Sequence, residues 1–405
     1  MTAALRTTIT PIAILRLVLG WGAFIALQFM GPLLTPPVPM PLLVTALVVI
    51  VAVILVCAFG VVTQAEHLAN RLGDPYGSLV LTISICLIEV ILIAAVLLGP
   101  GDHATIARDS VMAVSMIILG AVIGLCLLIG GLRHGAMEHN RTGVSSYLVM
   151  IVVFAALAFA MPGLIGSNGS FETWQEIPII VITVGAYVFF LYRQMGPQAH
   201  EFAEVSPSVA VGAASASTSS TPGTAHPSPA EAAARPESAR ADSEAQGIVE
   251  VLATHRMEII ARLVLLVATV LPIVLLSQDM ATLLDDGLGR LGAPVALSGV
   301  IIAMIVFLPE TLTSLRAAWN GEIQRVSNLC HGAQVSTVGL TIPTVLVIGM
   351  LTDQQIVLAE SPINLALLAV TLSVSVIGFA GKRVTAVQGA AHLIIFVVFG
   401  LALFA

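Results

Sequence analysis

Residues 81–97 have the sequence LTISICLIEVILIAAVL, and residues 301–319 have the sequence IIAMIVFLPETLTSLRAAW. Each stretch carries one acidic side chain, Glu89 or Glu310, inside a largely apolar run. A carboxyl group in hydrocarbon costs several kcal/mol unless it faces a cavity or a polar partner. The two glutamates are therefore the first candidates for functional residues.

The composition of the whole chain indicates an integral membrane protein. Of the 405 residues, 58% are hydrophobic and 10% are charged, and the mean hydropathy is +1.02. Long continuous apolar runs predict helices, because the alternating pattern of an outer-membrane barrel does not occur. We predict an all-α fold of about eleven transmembrane helices. The predicted spans are 11–30, 41–62, 76–98, 109–132, 145–164, 177–194, 256–277, 293–315, 328–350, 356–378 and 383–403.

The basic residues predict the orientation. With these spans and a cytoplasmic N-terminus, 14 of the 16 Lys and Arg residues fall on the cytoplasmic side, and only Arg108 and Arg290 fall outside. This separation follows the positive-inside rule. It predicts that the N-terminus and residues 195–255 are cytoplasmic and that the C-terminus is outside. The first apolar run lacks a signal-peptide cleavage pattern, so we expect a retained helix.

One segment differs in composition from the rest. From Val205 to Gln246, 31 of 42 residues are Ala, Ser, Thr, Pro or Gly, and none is aromatic. Such a segment buries too little apolar surface to offset the entropy of ordering, so it predicts a disordered linker. The expected organisation is an N-terminal segment with an extra helix (1–40), a first membrane repeat (41–200), a cytoplasmic linker (201–250) and a second membrane repeat (251–405).

The two halves resemble each other. Glu89 is followed by Arg108 and Ser110 at the start of the next apolar helix, and Glu310 is followed by Arg325 and Ser327. The positive-inside rule puts Arg108 outside and Arg325 inside, so equivalent positions lie on opposite sides. Spans 2–6 and 7–11 would thus form inverted repeats, an arrangement that places the substrate site of many secondary transporters at the midplane.

Several polar residues near the two glutamates are candidates for the same site. Pro309 lacks an N–H and so frees a helical carbonyl beside Glu310, which a hard cation can use. Residues that would line the site are Thr82, Ser84, Cys86, Ser115, Pro309, Thr311, Thr313, Ser314 and Ser336. Residues that would relay protons or give access to the site are His331, Glu66, His67 and Asp74.

Each of these residues also has a structural interpretation. The serines can be helix-packing hydroxyls, and His331 can be a helix-end packing residue. Glu66, His67 and Asp74 can be solvated helix ends. His134, Glu138 and His139 lie in the loop after the fourth span, and we expect them on the surface. The four cysteines lack metal-ligand or redox spacing, which favours simple packing.

The stretch AEHLANRLGDPYGSLVLTISICLIE, residues 65–89, resembles the first α-repeat of the calcium:cation antiporter superfamily. GDPYG at 73–77, GLCLLIGGLRHG at 124–135 and GLTIP at 339–343 resemble the bacterial ChaA-type calcium, sodium and potassium:proton antiporters. This resemblance implies eleven helices, inverted repeats and proton-coupled export of a cation. It also implies that Glu89 and Glu310 bind the cation and the proton. No other cofactor and no nucleic acid partner are expected.

The chain departs from the superfamily before each glutamate. Ile85-Cys86 precedes Glu89, and Phe307-Leu308 precedes Glu310, where the superfamily has Gly-Asn. The missing amide oxygens weaken the case for tight calcium selectivity and leave sodium and potassium open.

The expected function is exchange of a cytoplasmic cation, with calcium as the first candidate, for protons across a cell inner membrane. The alternatives are a cation channel and an intramembrane enzyme. A channel usually builds its pore from several subunits, whereas this chain carries a duplicated site of its own. The chain has no catalytic motif of the His-Glu-x-x-His or Gly-x-Ser-x-Gly kind.

Overall fold

The computed structural model describes residues 10–72, 90, 93–94, 97, 104–196, 198–202, 237–294 and 296–404. The described part is almost entirely α-helical. In chain order its helices and strands are α1 (Pro11–Met30), α2 (Met40–Leu72), α3 (Ile106–His134), β1 (Met137–Glu138), α4 (Arg141–Ile165), α5 (Thr173–Met195), α6 (Glu237–Arg290), α7 (Ala296–Val306), α8 (Leu308–Asn320), α9 (Ile323–Thr352), α10 (Pro362–Gly378), β2 (Arg383–Val384) and α11 (Ala386–Ala402).

These helices coincide with ten of the eleven predicted spans, since α7 and α8 together cover the eighth. The third predicted span, 76–98, lies almost entirely outside the described residues. In the described part, seven helices are long and apolar enough to cross a membrane, and the bent pair α7–α8 would be an eighth. The helices α10 and α11 are apolar but shorter. A helical protein with many membrane spans is thus confirmed, while the count of eleven stays a prediction.

The long helix α6 differs from the sequence prediction at both ends. It begins at Glu237 and ends at Arg290, whereas the predicted span covered 256–277. Residues 237–250 of the predicted linker therefore belong to a helix, and residues 203–236 lie outside the described part. The segment from Glu237 onward is rich in Glu and Ala and lacks proline before Pro272, a composition that favours a helix.

The helices pack as two hydrophobic clusters. One cluster joins α1, α2 and α6, and the larger one surrounds α3 and α9. In the most apolar 18-residue window of α3, 83% of the residues are buried, against 11% in α1. The helix α3 is therefore central and α1 is peripheral. Large apolar side chains exposed on the outer helices, such as Phe29, Val181 and Ile394, form the surface that lipid would cover.

Two hydrogen bonds give the relative direction of the central helices. Gln334 in α9 donates to Ser115 in the first half of α3 at 2.7 Å. The backbone N–H of Asn140, just after α3, donates to Gln324 at the start of α9 at 2.8 Å. The two helices therefore run antiparallel through the middle of the bundle.

Loops pair with each other at both ends of the bundle. At one end, β1 and β2 form an antiparallel ribbon in which Met137 faces Val384 and Glu138 faces Arg383. At the other end, the N–H of Leu358 donates to the carbonyl of Gly169 at 3.0 Å, and the N–H of Glu360 donates to that of Phe159 at 3.1 Å. Each of these contacts ties the loop after one central helix to the opposite half of the chain.

Candidate functional site

A break between two half-helices positions Glu310. The helix α7 ends at Val306, α8 begins at Leu308, and the two are bent by 60° at the break. Pro309 occupies the first turn of α8, where its missing N–H is not needed for a helical hydrogen bond. Both the N–H and the hydroxyl of Thr311 donate to the carbonyl of Phe307, at 2.9 and 2.8 Å. The predicted helix disruption beside Glu310 is therefore present.

Glu310 lies in the first turn of α8. The positive end of the helix dipole there favours the negatively charged carboxylate that remains when the proton leaves. Its Oε2 atom is buried and has no hydrogen-bond partner among the described residues. Buried carboxylate oxygens normally have a partner. No described group of the protein therefore satisfies this oxygen.

The face of α8 that carries Glu310 continues to Ser314, one helical turn later. Ser314 is buried and accepts a weak hydrogen bond from the thiol of Cys330 in α9 at 3.5 Å. Thr313 is half-buried. The residues after Glu310 thus connect α8 with the central helix α9.

Ser115 and Ser336 both lie in hydrogen bonds between helices. Ser115 is buried, accepts from Gln334 and donates to the carbonyl of Val111 at 2.7 Å. Ser336 accepts from the hydroxyl of Tyr187 in α5 at 3.0 Å. The side-chain oxygen of Gln334 is buried without a partner in the described structure. Gln334 is a further candidate that the sequence analysis missed, although an amide inside the apolar run of α9 is a detectable signal.

Of the other predicted residues, the structure describes the side chains of two, His67 and His331. His67 is exposed near the end of α2, and His331 is fully buried in α9. Glu89, Thr82, Ser84, Cys86, Asp74 and the side chains of Glu66 and Pro309 lie outside the described residues. Within the described part, no group of three or more His, Cys, Asp or Glu side chains is arranged to hold a metal ion.

The expectation that His134, Glu138 and His139 lie on the surface is wrong for His139. His134 and Glu138 are exposed, but His139 is 5% exposed. Pairing of β1 with β2 turns His139 inward, where its Nε2 lies 3.2 Å from the carbonyl oxygen of Phe379. Burial lowers the pKa of His139, and the contact with Phe379 only partly opposes this.

A cavity of about 470 Å³ reaches the break between α7 and α8 from the end of the bundle where α3 begins. Phe307 forms part of its wall, and Asp109, Asp285 and Glu360 contribute carboxylates to its lining. Burial raises the pKa of Glu360, while hydrogen bonds from Asn364 and Ser361 and the nearby Arg108 lower it. The cavity is lined mostly by apolar side chains, carries these three carboxylates, and leads from the surface toward the residue that precedes α8.

The family described as "Sodium/calcium exchanger protein" matches residues 42–196 and 261–405. The chain is 31% identical over 344 residues to the "Putative ionic transporter y4hA" of Sinorhizobium fredii (strain NBRC 101917 / NGR234), covering 84% of this chain and 83% of the relative. It is 29% identical over 386 residues to the "Sodium-potassium/proton antiporter ChaA" of Escherichia coli (strain K12), covering 95% of this chain and 94% of the relative.

Solved structures share the fold at low sequence identity. A "Ca2+/H+ antiporter protein YfkE" structure has a TM-score of 0.60 at 14% identity, covering 96% of this chain and 99% of that one. The "H+/Ca2+ Exchanger CAX" has a TM-score of 0.59 at 13% identity, covering 96% and 87%. The match of the family to more than half of the chain decides the assignment. The chain belongs to the sodium/calcium exchanger protein family, whose members are cation antiporters of the calcium:cation antiporter superfamily and not enzymes.

Proposed function

We propose that this antiporter exports a cytoplasmic cation in exchange for protons by alternating access at a site formed by Glu89 and Glu310. Calcium is the first candidate, and sodium and potassium are the alternatives. The observation that carries the proposal is the buried Oε2 of Glu310 at the start of a half-helix, which has no hydrogen-bond partner among the residues that the structure describes. Broken helices with ionisable groups at membrane depth are typical of ion sites in secondary transporters.

The exchange follows from the charges. Two carboxylates can hold one divalent cation or two protons, but binding both together is unfavourable because only the ionised carboxylates attract the cation. Competition for one site, with access alternating between the two sides, therefore couples the two fluxes. Gln334, Ser115 and the carbonyl of Ile305, whose helical donor Pro309 removes, would add oxygen ligands, since calcium takes six to eight oxygens.

The packing supports an inverted repeat. If spans 2–6 correspond to spans 7–11, α3 corresponds to α9 and α5 corresponds to α11. Consistent with this, α3 packs against α11 and α9 packs against α5. The loop contacts at the two ends of the bundle follow the same correspondence. The loop after α3 pairs with the one before α11, and the loop after α9 pairs with the one before α5.

The basic residues favour a cytoplasmic N-terminus and an external C-terminus in a bacterial plasma membrane. In that orientation the cavity lined by Asp109 and Glu360 opens outward. The relatives leave the ion open, because the Escherichia coli protein is named for sodium and potassium and two of the solved structures are named for calcium.

The test is cation-driven proton flux in everted membrane vesicles, with calcium, sodium and potassium supplied separately. We expect saturable flux with at least one of them and background flux for Glu89→Gln. Vesicles without the protein are the control. Wild-type protein without flux for any of the three cations, or Glu89→Gln with normal flux, would contradict the proposal.

A second prediction concerns Gln334. Replacing it by leucine keeps the volume but removes the donor to Ser115 and a buried oxygen. We expect the half-saturating cation concentration to rise roughly tenfold, equivalent to about 1.4 kcal/mol for a lost hydrogen-bonding group. The control is Gln355→Leu, which alters an exposed loop residue. An unchanged half-saturating concentration in Gln334→Leu would remove Gln334 from the site.

A further inference from the structure

We propose that three buried histidines, His139, His331 and His392, form a gated proton path between the end of the bundle that carries β1 and β2 and the residues around Glu310. This inference rests on the proposed proton-coupled exchange and assigns its proton a route distinct from the acidic cavity. The three histidines come from different parts of the chain, the loop after α3, the helix α9 and the helix α11.

The path begins at His139, beside the ribbon of β1 and β2. The backbone N–H of His139 donates to the carbonyl of Lys382 at 3.2 Å. Its neighbour Glu138 pairs with Arg383 on the exposed face at 2.9 Å. The Nδ1 atom of His139 is buried and has no hydrogen-bond partner in the described part of the chain. Its imidazole thus links a charged surface to the interior.

His331 is the next imidazole inward. The rings of His139 and His331 each lie edge-on against the ring of Phe379, with centroids 5.2 Å apart in both cases. The hydroxyl of Ser327 lies 2.8 Å from Nδ1 of His331. The Nε2 atom of His331 is buried without a partner among the described residues. Phe379 therefore separates two imidazoles that would otherwise be neighbours, and this closes the path in the present state.

The polar groups continue from His331 to Glu310. Gln334 lies three residues further along α9, on the same helical face as His331, and holds Ser115. Cys330, next to His331, contacts Ser314, which lies one turn from Glu310. The path thus ends at the carboxyl group that binds the exchanged proton.

His392 provides a branch from α11. Its ring nitrogens make no close hydrogen bond with a described residue, although the backbone of Leu119 lies near enough to interact with the ring. Leu119 belongs to a π-helical turn of α3, Ile117–Val122, and such turns are frequent at functional sites. Among the described residues, the titratable groups around His331 include His139, His392 and Tyr147, which come from the loop after α3, from α11 and from α4.

Unpartnered buried polar atoms are rare in native proteins, and ordered water usually satisfies them. In the described part of the chain, six of the twelve such side-chain atoms belong to the three histidines, Gln334 and Glu310, and the other six lie on other residues, such as Thr183 and Asp279. The first six are Nδ1 of His139, Nε2 of His331, both ring nitrogens of His392, Oε1 of Gln334 and Oε2 of Glu310. A neutral imidazole accepts a proton at one nitrogen and releases one from the other. Imidazoles can therefore relay protons. They offer no oxygen ligand to a hard cation, which prefers carboxylate and carbonyl oxygens.

The test compares two activities of the same purified full-length protein in proteoliposomes. Cation-driven proton flux needs the proton path, whereas exchange of a labelled cation for the same unlabelled cation at equal pH does not. We expect His139→Asn and His331→Asn to lower proton-coupled flux roughly a hundredfold, the usual contribution of a positioned proton-transfer group. Self-exchange should stay within about twofold, because these variants leave Glu310 and its oxygen ligands in place. His134→Asn, an exposed histidine at the same end, is the matched control and should behave as wild type in both assays.

Parallel loss of both activities in a variant that elutes as folded protein would overturn the proton path, and so would normal proton flux in all histidine variants. If His331→Asn does not fold, His331→Gln and His392→Asn test the same prediction. Wild-type protein that lacks both activities would instead refute the proposed exchange itself. The failure of the path and the failure of the function are therefore distinguishable.

Discussion

Replacing Glu310 by glutamine is expected to abolish both cation-driven proton flux and cation self-exchange. Glutamine keeps the shape of the side chain but carries neither a negative charge nor an exchangeable acidic proton. Its Oε2 position is buried beside the start of α8, so water cannot replace the lost charge. We expect cation affinity to fall about a hundredfold or more, corresponding to roughly 3 kcal/mol for removing one partner of a buried charge pair.

The measurement is labelled-cation uptake and proton flux in the same vesicles, with protein amount checked by immunoblot. Glu322→Gln is the matched control. Glu322 lies two residues after α8, where its side chain forms a surface ion pair with Arg325 at 3.2 Å and accepts an exposed hydrogen bond from Asn320 at 3.5 Å, so both activities should remain normal. Normal activity of Glu310→Gln would refute a paired-glutamate mechanism. Loss of proton flux with retained self-exchange would mean that Glu310 handles only the proton.

The Glu310 variant and the histidine variants are expected to differ in which of the two activities they lose. Glu310 is proposed to bind both substrates, so both activities should disappear together. His139 and His331 are proposed to move only the proton, so their variants should lose one activity. The pattern across the variants thus separates substrate binding from proton access.

Hydropathy predicts the helices because each long span must be apolar along its whole length to lie in the membrane. It predicts their ends less well. The predicted span at 256–277 corresponds to a helix that continues to Arg290, because Asp286 near its end is held by the N–H of Val38 and by Arg290. Those partners allow polar residues to stay helical beyond the apolar run.

Polar residues of the interior are harder to predict from the sequence. The break near Glu310 is visible because proline removes a helical donor. Burial of His139 is not, because it depends on pairing with residues about 245 positions later, Glu138 with Arg383. Gln334 and His392 lie on helices whose rotation is set by their partners. Only the packing of α9 and α11 against α3 decides that these side chains face inward.

Replacing Gly389 by alanine is expected to disrupt the packing of α11 against α3. A Cβ atom at Gly389 would lie 2.4 Å from the backbone nitrogen of Leu128 and 2.7 Å from the carbonyl oxygen of Gly124. Both neighbours are backbone atoms, which cannot rotate away as a side chain would. Overpacking of this kind lowers the free energy of unfolding by about 3 kcal/mol. We therefore expect the melting temperature of the purified protein to fall by roughly 5 °C or more.

Gly400→Ala is the control within the same helix, because a Cβ atom there would meet nothing within 4 Å. It should melt at or slightly above the wild-type temperature, since alanine favours a helix over glycine. Equal melting temperatures for the two variants would show that α3 and α11 separate easily. If Gly389→Ala melts lower, its transport should fall too, because α3 carries Ser115 and moving it breaks the 2.7 Å hydrogen bond to Gln334. Close packing of two glycine-bearing helices would then be what holds a polar contact in place at the proposed site.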